Sequence, residues 1–424
     1  MLKDRYGKHT RLRKIADLLH DTRGFVLIFA LVAAAGYILA WVPQGQDLLR
    51  TVTDVNPDHS SGYSIQVFWL CLSVAVLGFQ GWFWARAIAD QYEGPQDHWA
   101  ARMYLVWVPR ILGLVPFGLL FVALWRVQTP NAWPAWILAG LGATFLIFLW
   151  TRKSAVKSME GASDRLASQG RRRAAAAIDM SLRNLKPFLF YAGIVYALIA
   201  MIIVTLEPVS LSVHFGPAAV VLTACSLLIP VLTWLSIIGN RYHLRVTEAL
   251  FVTIVVFSLW VDNHEVRHSR SDTATQQAAI QSRPTIEAAY NRWKGQGLAN
   301  GTYPIPMIFV ASEGGASRAG YWTGAVMSRL EAETQGEFSK HLFAISSISG
   351  GSLGVAGFVA SIHDEKLAKA IQAGDAKLPD IVSEFVGQDY LSPALAGGLF
   401  PDLLQRFVPI SFLPDRSAAL EKGW

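Results

Sequence analysis

The sequence predicts an N-terminal polytopic α-helical membrane region, residues 1–262, joined by a linker and a connecting helix, 263–302, to a partial α/β domain, 303–424. The composition is 52% hydrophobic and 16% charged, whereas soluble domains carry about 25% charged residues. Long apolar stretches alternate with basic loops up to residue 262. Beyond the linker, two short strand patterns are each followed by a glycine-rich turn and a helix pattern, which indicates an α/β fold.

The membrane prediction rests on the length of the apolar stretches. A bilayer core about 30 Å thick needs about 20 apolar residues in helical form. Tryptophan and tyrosine gather near the ends of the stretches, as they do at the level of lipid headgroups. The seventh stretch is the shortest and begins beside Glu248. We therefore expect about seven spans, at residues 24–43, 64–85, 105–125, 132–150, 187–206, 216–238 and 246–261.

Lysine and arginine lie mainly on one side of these spans. The N-terminal tail, the connection 151–186 and two shorter loops hold 20 of them, and the opposite loops hold only Arg50 and Arg126. Because cytoplasmic loops carry the excess of positive charge, we expect the N-terminus in the cytoplasm. The C-terminal domain then lies on the far side if all seven stretches span, and in the cytoplasm if the seventh does not.

The positions of the charged residues and the cysteines argue against nucleic-acid binding, a metal site and transport. The net charge of +6 comes from the tail and the loops between apolar stretches, so we expect no nucleic-acid partner. Cys71 and Cys225 both lie within apolar stretches and suggest neither a disulfide framework nor a metal site. No stretch has a charged residue at its centre, which favours a membrane anchor over a transporter or channel. We expect no metal and no cofactor.

The linker prediction follows from a change in composition after residue 262. The chain becomes polar through about residue 283, which is typical of a surface segment. Pro284 then begins a predicted helix that runs to Lys294, because proline is favoured in the first turn of a helix.

The first motif of the C-terminal domain is a strand, a glycine loop and a helix. Residues 305–311 are apolar and β-branched, residues 312–320 form the loop, and a helix pattern runs from Tyr321 to Glu333. Free backbone N–H groups at a helix N-terminus bind anions. The loop lacks both the GxGxxG spacing and the Lys-Ser/Thr ending of a P-loop, so a nucleotide site is disfavoured.

The second motif has the pattern of a nucleophile elbow, in which serine stands at a sharp turn between a strand and a helix. Leu342–Ile345 is the strand and an apolar helix continues to about Ile362. Ser349 has small residues two places to either side. Ser352 matches G-x-S-x-G over residues 350–354. The residues alone leave the two serines equal candidates for a nucleophile.

Together the two motifs resemble the patatin-like phospholipase family, which is related to the cytosolic phospholipases A2. In that family a strand leads to a D/S-G-G-G-x-R/K-G/A loop, and a G-x-S-G-S/G elbow follows. Here Glu-Gly-Gly-Ala-Ser-Arg-Ala at 313–319 stands at the loop, and Ser-Ile-Ser-Gly-Gly at 347–351 stands at the elbow. This chain departs from the pattern at Glu313, Ala316 and Ser347. The resemblance covers about residues 303–424, and the ending from Phe412 to Trp424 is similar to that of bacterial members.

The resemblance implies a three-layer α/β fold and a membrane-anchored hydrolase of lipid acyl esters, in the bacterial inner membrane. It implies that Ser349 is the nucleophile and that the backbone amides of Gly314, Gly315 and Ala316 form the oxyanion hole. Arg318 is then the basic residue of the loop, which either steers a lipid phosphate or shapes the loop. The implied partners are the bilayer and a membrane lipid substrate, with no cofactor and no metal.

The resemblance also implies a Ser–Asp dyad with the aspartate in an Asp-Gly-Gly or Asp-Gly-Ala motif, yet residues 303–424 contain no Asp-Gly pair. His363 follows Ser349 in the same predicted helix, which disfavours a Ser–His–Asp triad. We expect that the chain stops before its catalytic aspartate or that the domain has lost activity. The alternative is a non-catalytic polytopic membrane protein whose α/β domain binds lipid or a partner. The aspartates without the motif are Asp375, Asp389, Asp402 and Asp415.

Overall fold

The computed structural model describes residues 17–53, 60–92, 99–127, 133–169, 171–262, 277–278, 280–295 and 305–424. The chain divides into two compact units. Unit 1 comprises Met1–Glu265 together with Leu391–Trp424, and unit 2 comprises Val266–Tyr390. The basic tail before Asp17 and much of the predicted linker 263–302 lie outside the described residues.

The described part of unit 1 before residue 262 consists of helices joined by short turns. Six of its helices are long and apolar enough to cross a membrane, as the sequence predicts for six of its seven stretches. The helices are α1 (Gly24–Trp41), α2 (Pro43–Thr53), α3 (Ser60–Asp90), α4 (Trp99–Arg126), α5 (Trp133–Ser168), α6 (Arg172–Leu206), α7 (Ser210–Phe215), α8 (Pro217–Arg241) and α9 (Val246–Trp260).

The seventh predicted stretch is a helix, but a short one. Helix α9 has 15 residues, which corresponds to about 22 Å at 1.5 Å per residue. A membrane core is about 30 Å thick. Length and composition therefore identify six candidate spans, and α9 stands apart as a shorter apolar helix.

The basic connection 151–186 is helical on both sides of a short break, whereas the sequence pattern suggested a loop between spans. Helix α5 continues to Ser168 and α6 begins at Arg172. Alanine, arginine and lysine, which are frequent in this connection, are among the stronger helix formers. The two helices therefore extend well beyond their apolar portions.

Helices α3 and α4 cross closely at two glycines, Gly78 and Gly113. A Cβ atom added to Gly113 would lie 2.7 Å from the Cβ of Trp82 and 2.9 Å from Cε1 of Phe145, and the carbonyl oxygen of Gly78 is 3.1 Å away. Small residues at such crossings let the backbones of membrane helices approach and pack. Trp82 and Phe145 meet edge to face, with their ring centroids 6.4 Å apart.

The C-terminal segment packs within unit 1. It consists of α16 (Leu391–Gly397), a π-helical turn (Gly398–Asp402), α17 (Leu403–Gln405) and α18 (Arg416–Gly423). Ala396 and Phe400 are buried in a cluster with Val204 of α6 and Val220 of α8. Because these apolar side chains are covered there, unit 2 ends at Tyr390, whereas the α/β domain predicted from the sequence extends to residue 424.

Unit 2 contains a two-stranded parallel sheet, in which Val310 pairs with Ile345 and Ser312 pairs with Ser347. One face of the sheet packs on the helices that carry Met327, Phe358 and Val382. The elements are α10 (Ile286–Lys294), β1 (Ile308–Ser312), α11 (Ala316–Glu333), α12 (Glu337–His341), β2 (Leu342–Ser347), α13 (Gly350–His363), α14 (Glu365–Ala373) and α15 (Leu378–Val386).

Only part of the predicted α/β architecture is seen. Both predicted strands are present, each followed by a helix. The described residues contain two strands, so the three-layer arrangement stays a prediction. The connecting helix begins at Ile286 and not at Pro284, because the Thr285 side chain caps it by accepting a hydrogen bond from the Ala288 amide.

The glycine crossing of α3 and α4 can be tested with two substitutions on the same helix. We expect Gly113→Ala to lower the free energy of unfolding by about 1–2 kcal/mol, because overpacking outweighs the better helix propensity of alanine. Gly118 has open space around its Cβ direction, so Gly118→Ala should leave stability unchanged or raise it by up to about 1 kcal/mol. Thermal unfolding in detergent micelles measures both; equal effects would contradict the close crossing.

Candidate functional site

Ser349 stands at the turn between β2, which ends at Ser347, and α13, which begins at Gly350. Its backbone has φ 53° and ψ −129°, so it is one of the non-glycine residues with positive φ. Such a conformation costs about 1–3 kcal/mol and persists only where the surroundings impose it. A strained serine between a strand and a helix is the arrangement of a nucleophile elbow.

Glycines after Ser349 permit the turn. A Cβ added to Gly350 would overlap the carbonyl oxygen of Ala316, and one added to Gly351 would overlap Ser312 and the carbonyl oxygen of Glu313. One helical turn later, a Cβ at Gly354 would overlap the carbonyl oxygen of Gly320. Helices α11 and α13 therefore cross with their backbones in contact.

The glycine loop and the elbow, which the sequence predicts separately, lie side by side. A Cβ added to Gly314 would be 3.1 Å from the Cβ of Ser349 and 3.7 Å from its Oγ. The Ile348 amide donates a hydrogen bond to the Ser312 carbonyl at 3.1 Å, which continues the strand pairing to the edge of the turn. The loop is thereby held against the exposed serine.

Two helix N-termini meet at this point. Helix α11 begins at Ala316 and α13 at Gly350, and neither has a side-chain hydrogen bond at its N-cap. The first N–H groups of a helix have no intrahelical partner and carry the positive end of its dipole. The loop places the backbone of Gly314 and Gly315 beside the same serine. The arrangement can stabilise a negative charge that develops next to Ser349.

The other predicted site residues lie in or next to the first turns of these helices. Ser352 is within α13, half-buried, and its amide donates to the Ser349 carbonyl at 3.0 Å. Of the two candidate serines, only Ser349 occupies the tip of the turn. Arg318 is exposed in the first turn of α11. Ala316, at the third glycine position of the motif, has φ 49° and thus takes a backbone conformation that favours glycine.

In the part of the chain that the structure describes, Ser349 has no general base among its contacts. No carboxylate or imidazole of the described residues hydrogen-bonds to Ser349. His363 lies at the far end of α13, about 20 Å along the helix, and its Nδ1 bonds to the Val359 carbonyl at 2.8 Å. Asp364 caps α14 by accepting hydrogen bonds from the amides of Lys366 and Leu367.

Asp402 and Asp415, late in the chain, have partners other than Ser349. Asp402 and Asp415 belong to the segment that packs within unit 1. Asp402 lies 3.7 Å from the Arg416 guanidinium, and Asp415 caps α18 by accepting from the Ala418 amide at 2.7 Å. Asp375 is exposed just after α14.

Unit 2 also has a cleft of about 650 Å³ at the opposite ends of α11 and α13 from Ser349. Its walls include Ile362, Ile371 and Leu378, together with the polar side chains of Gln335 and Lys377. The cleft is therefore mainly apolar and separate from the serine turn.

Comparisons of the chain with protein-family models, with characterised proteins and with solved structures gave no match. The resemblance to the patatin-like phospholipases thus rests on the two motifs and their order along the chain. Their proximity in space is an independent observation, because the close contact between Gly314 and Ser349 is a property of the folded chain.

One feature of the site was not predicted from the sequence. The Gly350 amide is the first of α13 and directly follows the serine, and in a nucleophile elbow this N–H group is one of the oxyanion donors. The run of two glycines after Ser349 was the available signal, since glycine at these positions indicates close approach of another backbone.

The strained backbone at Ala316 provides a test of the loop geometry. We expect Ala316→Gly to stabilise unit 2 by up to about 1 kcal/mol, since relief of the left-handed strain exceeds the entropic cost of glycine. Ala325, in the middle of α11, is the matched control, and Ala325→Gly should destabilise by about 1 kcal/mol. Hydrogen exchange of the amides in α11 and α13 should be about fivefold slower in Ala316→Gly and faster in Ala325→Gly than in the wild-type protein. Faster exchange in both would contradict the positive φ.

Proposed function

We propose that this chain is a membrane-anchored serine hydrolase of lipid acyl esters, with a patatin-like active site at Ser349. The observation that carries the proposal is the strained backbone of Ser349 at a strand–helix turn, in contact with the glycine loop. Strain of this kind is maintained at functional sites, where it points a reactive side chain away from the backbone.

The chemistry would proceed through an acyl-serine intermediate. The Oγ atom of Ser349 attacks the carbonyl carbon of the ester, and the alcohol part of the lipid leaves. Backbone amides of Gly314, Gly315 and Ala316, joined by that of Gly350, stabilise the oxyanion. Water then hydrolyses the acyl-serine. A base accepts the proton of Ser349 and passes it to the oxygen of the leaving alcohol, and in the second step it accepts a proton from water and returns it to Ser349. The family resemblance implies that this base is an aspartate.

Three features support a lipid substrate. Six helices are long and apolar enough to cross a membrane, where lipid esters are concentrated. Ile348 and Leu353, next to Ser349 along the chain and one turn into α13, are 66% and 41% exposed and offer apolar surface for an acyl chain. Arg318 adds positive charge close to the loop, where it would attract a lipid phosphate.

The wider architecture and location belong to the same proposal. Parallel sheets are usually covered on both faces. One face of this sheet packs on the helices of Met327 and Phe358, and on the other face Phe343 lies between Phe309 and Trp293 of α10, with ring centroids 5.5 and 5.8 Å apart. The presence of helices against both faces supports a three-layer arrangement. The excess of Lys and Arg on one side of the spans supports a cytoplasmic N-terminus, and the resemblance to bacterial members implies the inner membrane.

The alternative is a non-catalytic membrane protein whose unit 2 binds a lipid or a partner. It is favoured by the absence of a carboxylate or imidazole bonded to Ser349 in the described residues. A serine without a base reacts slowly, so this alternative predicts a folded but unreactive site.

A fluorophosphonate probe distinguishes the two functions. We expect the probe to label the detergent-solubilised protein, and Ser349→Ala to abolish labelling completely because the reacting oxygen is removed. Ser352→Ala is the matched control, and it should retain most of the labelling since this serine lies inside α13.

Two results would overturn the proposal. Absence of labelling in the wild-type protein favours the non-catalytic alternative, and loss of labelling only in Ser352→Ala moves the nucleophile to Ser352. Circular dichroism of both variants must match the wild type, so that a loss of labelling reports chemistry and not unfolding.

A further inference from the structure

The helices of unit 1 have two identifiable ends. At the first, which we call the basic end, Arg23 forms an ion pair with Glu248 at 3.1 Å. Nearby along the chain, a Cβ added to Gly24 would contact Ile88 and Ser236. These contacts bring together the beginnings of α1 and α9 and the later parts of α3 and α8.

The opposite end, which we call the distal end, is defined by a second set of contacts. The rings of Trp69 and Phe215 lie 4.4 Å apart between their centroids. The Arg126 guanidinium stands 5.4 Å from the ring centroid of Trp41. The end of α1, the beginning of α3, the end of α4 and the short helix α7 therefore lie together.

The C-terminal segment Leu391–Trp424 packs at the distal end. Phe400 lines a small cavity with Leu211 and Phe215. Lys422 in α18 lies 3.9 Å from Glu207, the residue directly after α6. These contacts join the segment to the connection between α6 and α8.

The chain must therefore cross unit 1 once more after α8. Helix α8 starts beside α7 at the distal end and finishes with Arg241 at the basic end, while the helix that begins at Leu391 packs at the distal end through Ala396. Among the described helices between those two residues, α9 is the one identified as an apolar helix of 10 or more residues. Its first turn holds Glu248, at the basic end.

We infer that α9 is a seventh membrane span, which places unit 2 and Ser349 on the side of the membrane opposite the N-terminus. Unit 2 connects the end of α9 to Leu391, and both would then lie on the distal side. The inference resolves the two topologies that the sequence leaves open.

The composition of α9 suits a lipid-exposed span in spite of its length. Its side chains are apolar and exposed along the helix, as at Phe251, Val255 and Leu259. Arg245 precedes it and Trp260 ends it, so each terminus has a residue suited to the interface. A span shorter than the bilayer core is accommodated by local thinning and by flanking side chains that reach the interface, at a modest cost.

If the proposed function holds, this topology also determines which leaflet of the membrane supplies the substrate. A serine on the distal side meets acyl esters of the distal leaflet. With the N-terminus in the cytoplasm, this is the leaflet that faces away from the cytoplasm.

Single-cysteine labelling tests the topology without reference to catalysis. Cys71 and Cys225 are replaced by alanine in the full chain, and exposed positions are converted one at a time. Lys157→Cys on α5 reports the side of the basic end, and Gln44→Cys on α2 reports the distal side. Lys369→Cys reports unit 2, and Ser417→Cys reports the C-terminal segment.

In intact cells, a membrane-impermeant maleimide should label Lys369→Cys and Ser417→Cys to the same extent as Gln44→Cys. Lys157→Cys should react only after permeabilisation. If Lys369→Cys behaves like Lys157→Cys, unit 2 is on the side of the N-terminus and the inference is wrong. An impermeant fluorophosphonate supplies the second readout: no labelling of Ser349 even in lysed cells counts against the hydrolase, whereas labelling only after lysis counts against the topology.

Discussion

The contact between two backbones at Gly350 and Ala316 fixes the geometry on which the candidate site depends. It sets the crossing of α11 and α13, and it also determines where the loop before α11 meets the turn before α13. Any side chain at Gly350 would separate the two helices and move the loop away from Ser349. Ala316 and Ser349, on either side of this contact, both have positive φ. Part of the free energy gained by packing the two helices therefore offsets the conformational strain of these two residues.

The local elements of unit 2 could be predicted because each depends on a short pattern. The apolar run of β2 and the glycines that follow it specify a strand, a turn and a helix within a few residues. The proximity of Gly314 to Ser349 and the left-handed backbone of Ala316 depend on packing between segments distant in sequence. Alanine gives no local indication of positive φ, which in this chain is imposed by the crossing of α11 and α13.

The same distinction applies to unit 1. Hydropathy located six long spans, since the burial of apolar side chains in lipid requires only composition and length. Hydropathy did not predict that α5 and α6 extend through the connection 151–186. Charged residues indicate contact with water, but they do not determine whether the backbone is helical. Hydropathy also did not predict that Ala396 and Phe400 pack within unit 1, since an apolar residue in a sequence does not specify which surface will cover it.

The return of Leu391–Trp424 to unit 1 makes unit 2 an insertion between two parts of one structure. A protease that cuts once between residues 262 and 286 would therefore not release unit 2. The C-terminal fragment, which contains unit 2 and Leu391–Trp424, would stay bound to the helices of unit 1 without a covalent link. The buried side chains of Ala396 and Phe400 and the ion pair of Lys422 would hold it there. Release of a soluble fragment would require a second cut near Tyr390 or disruption of that packing.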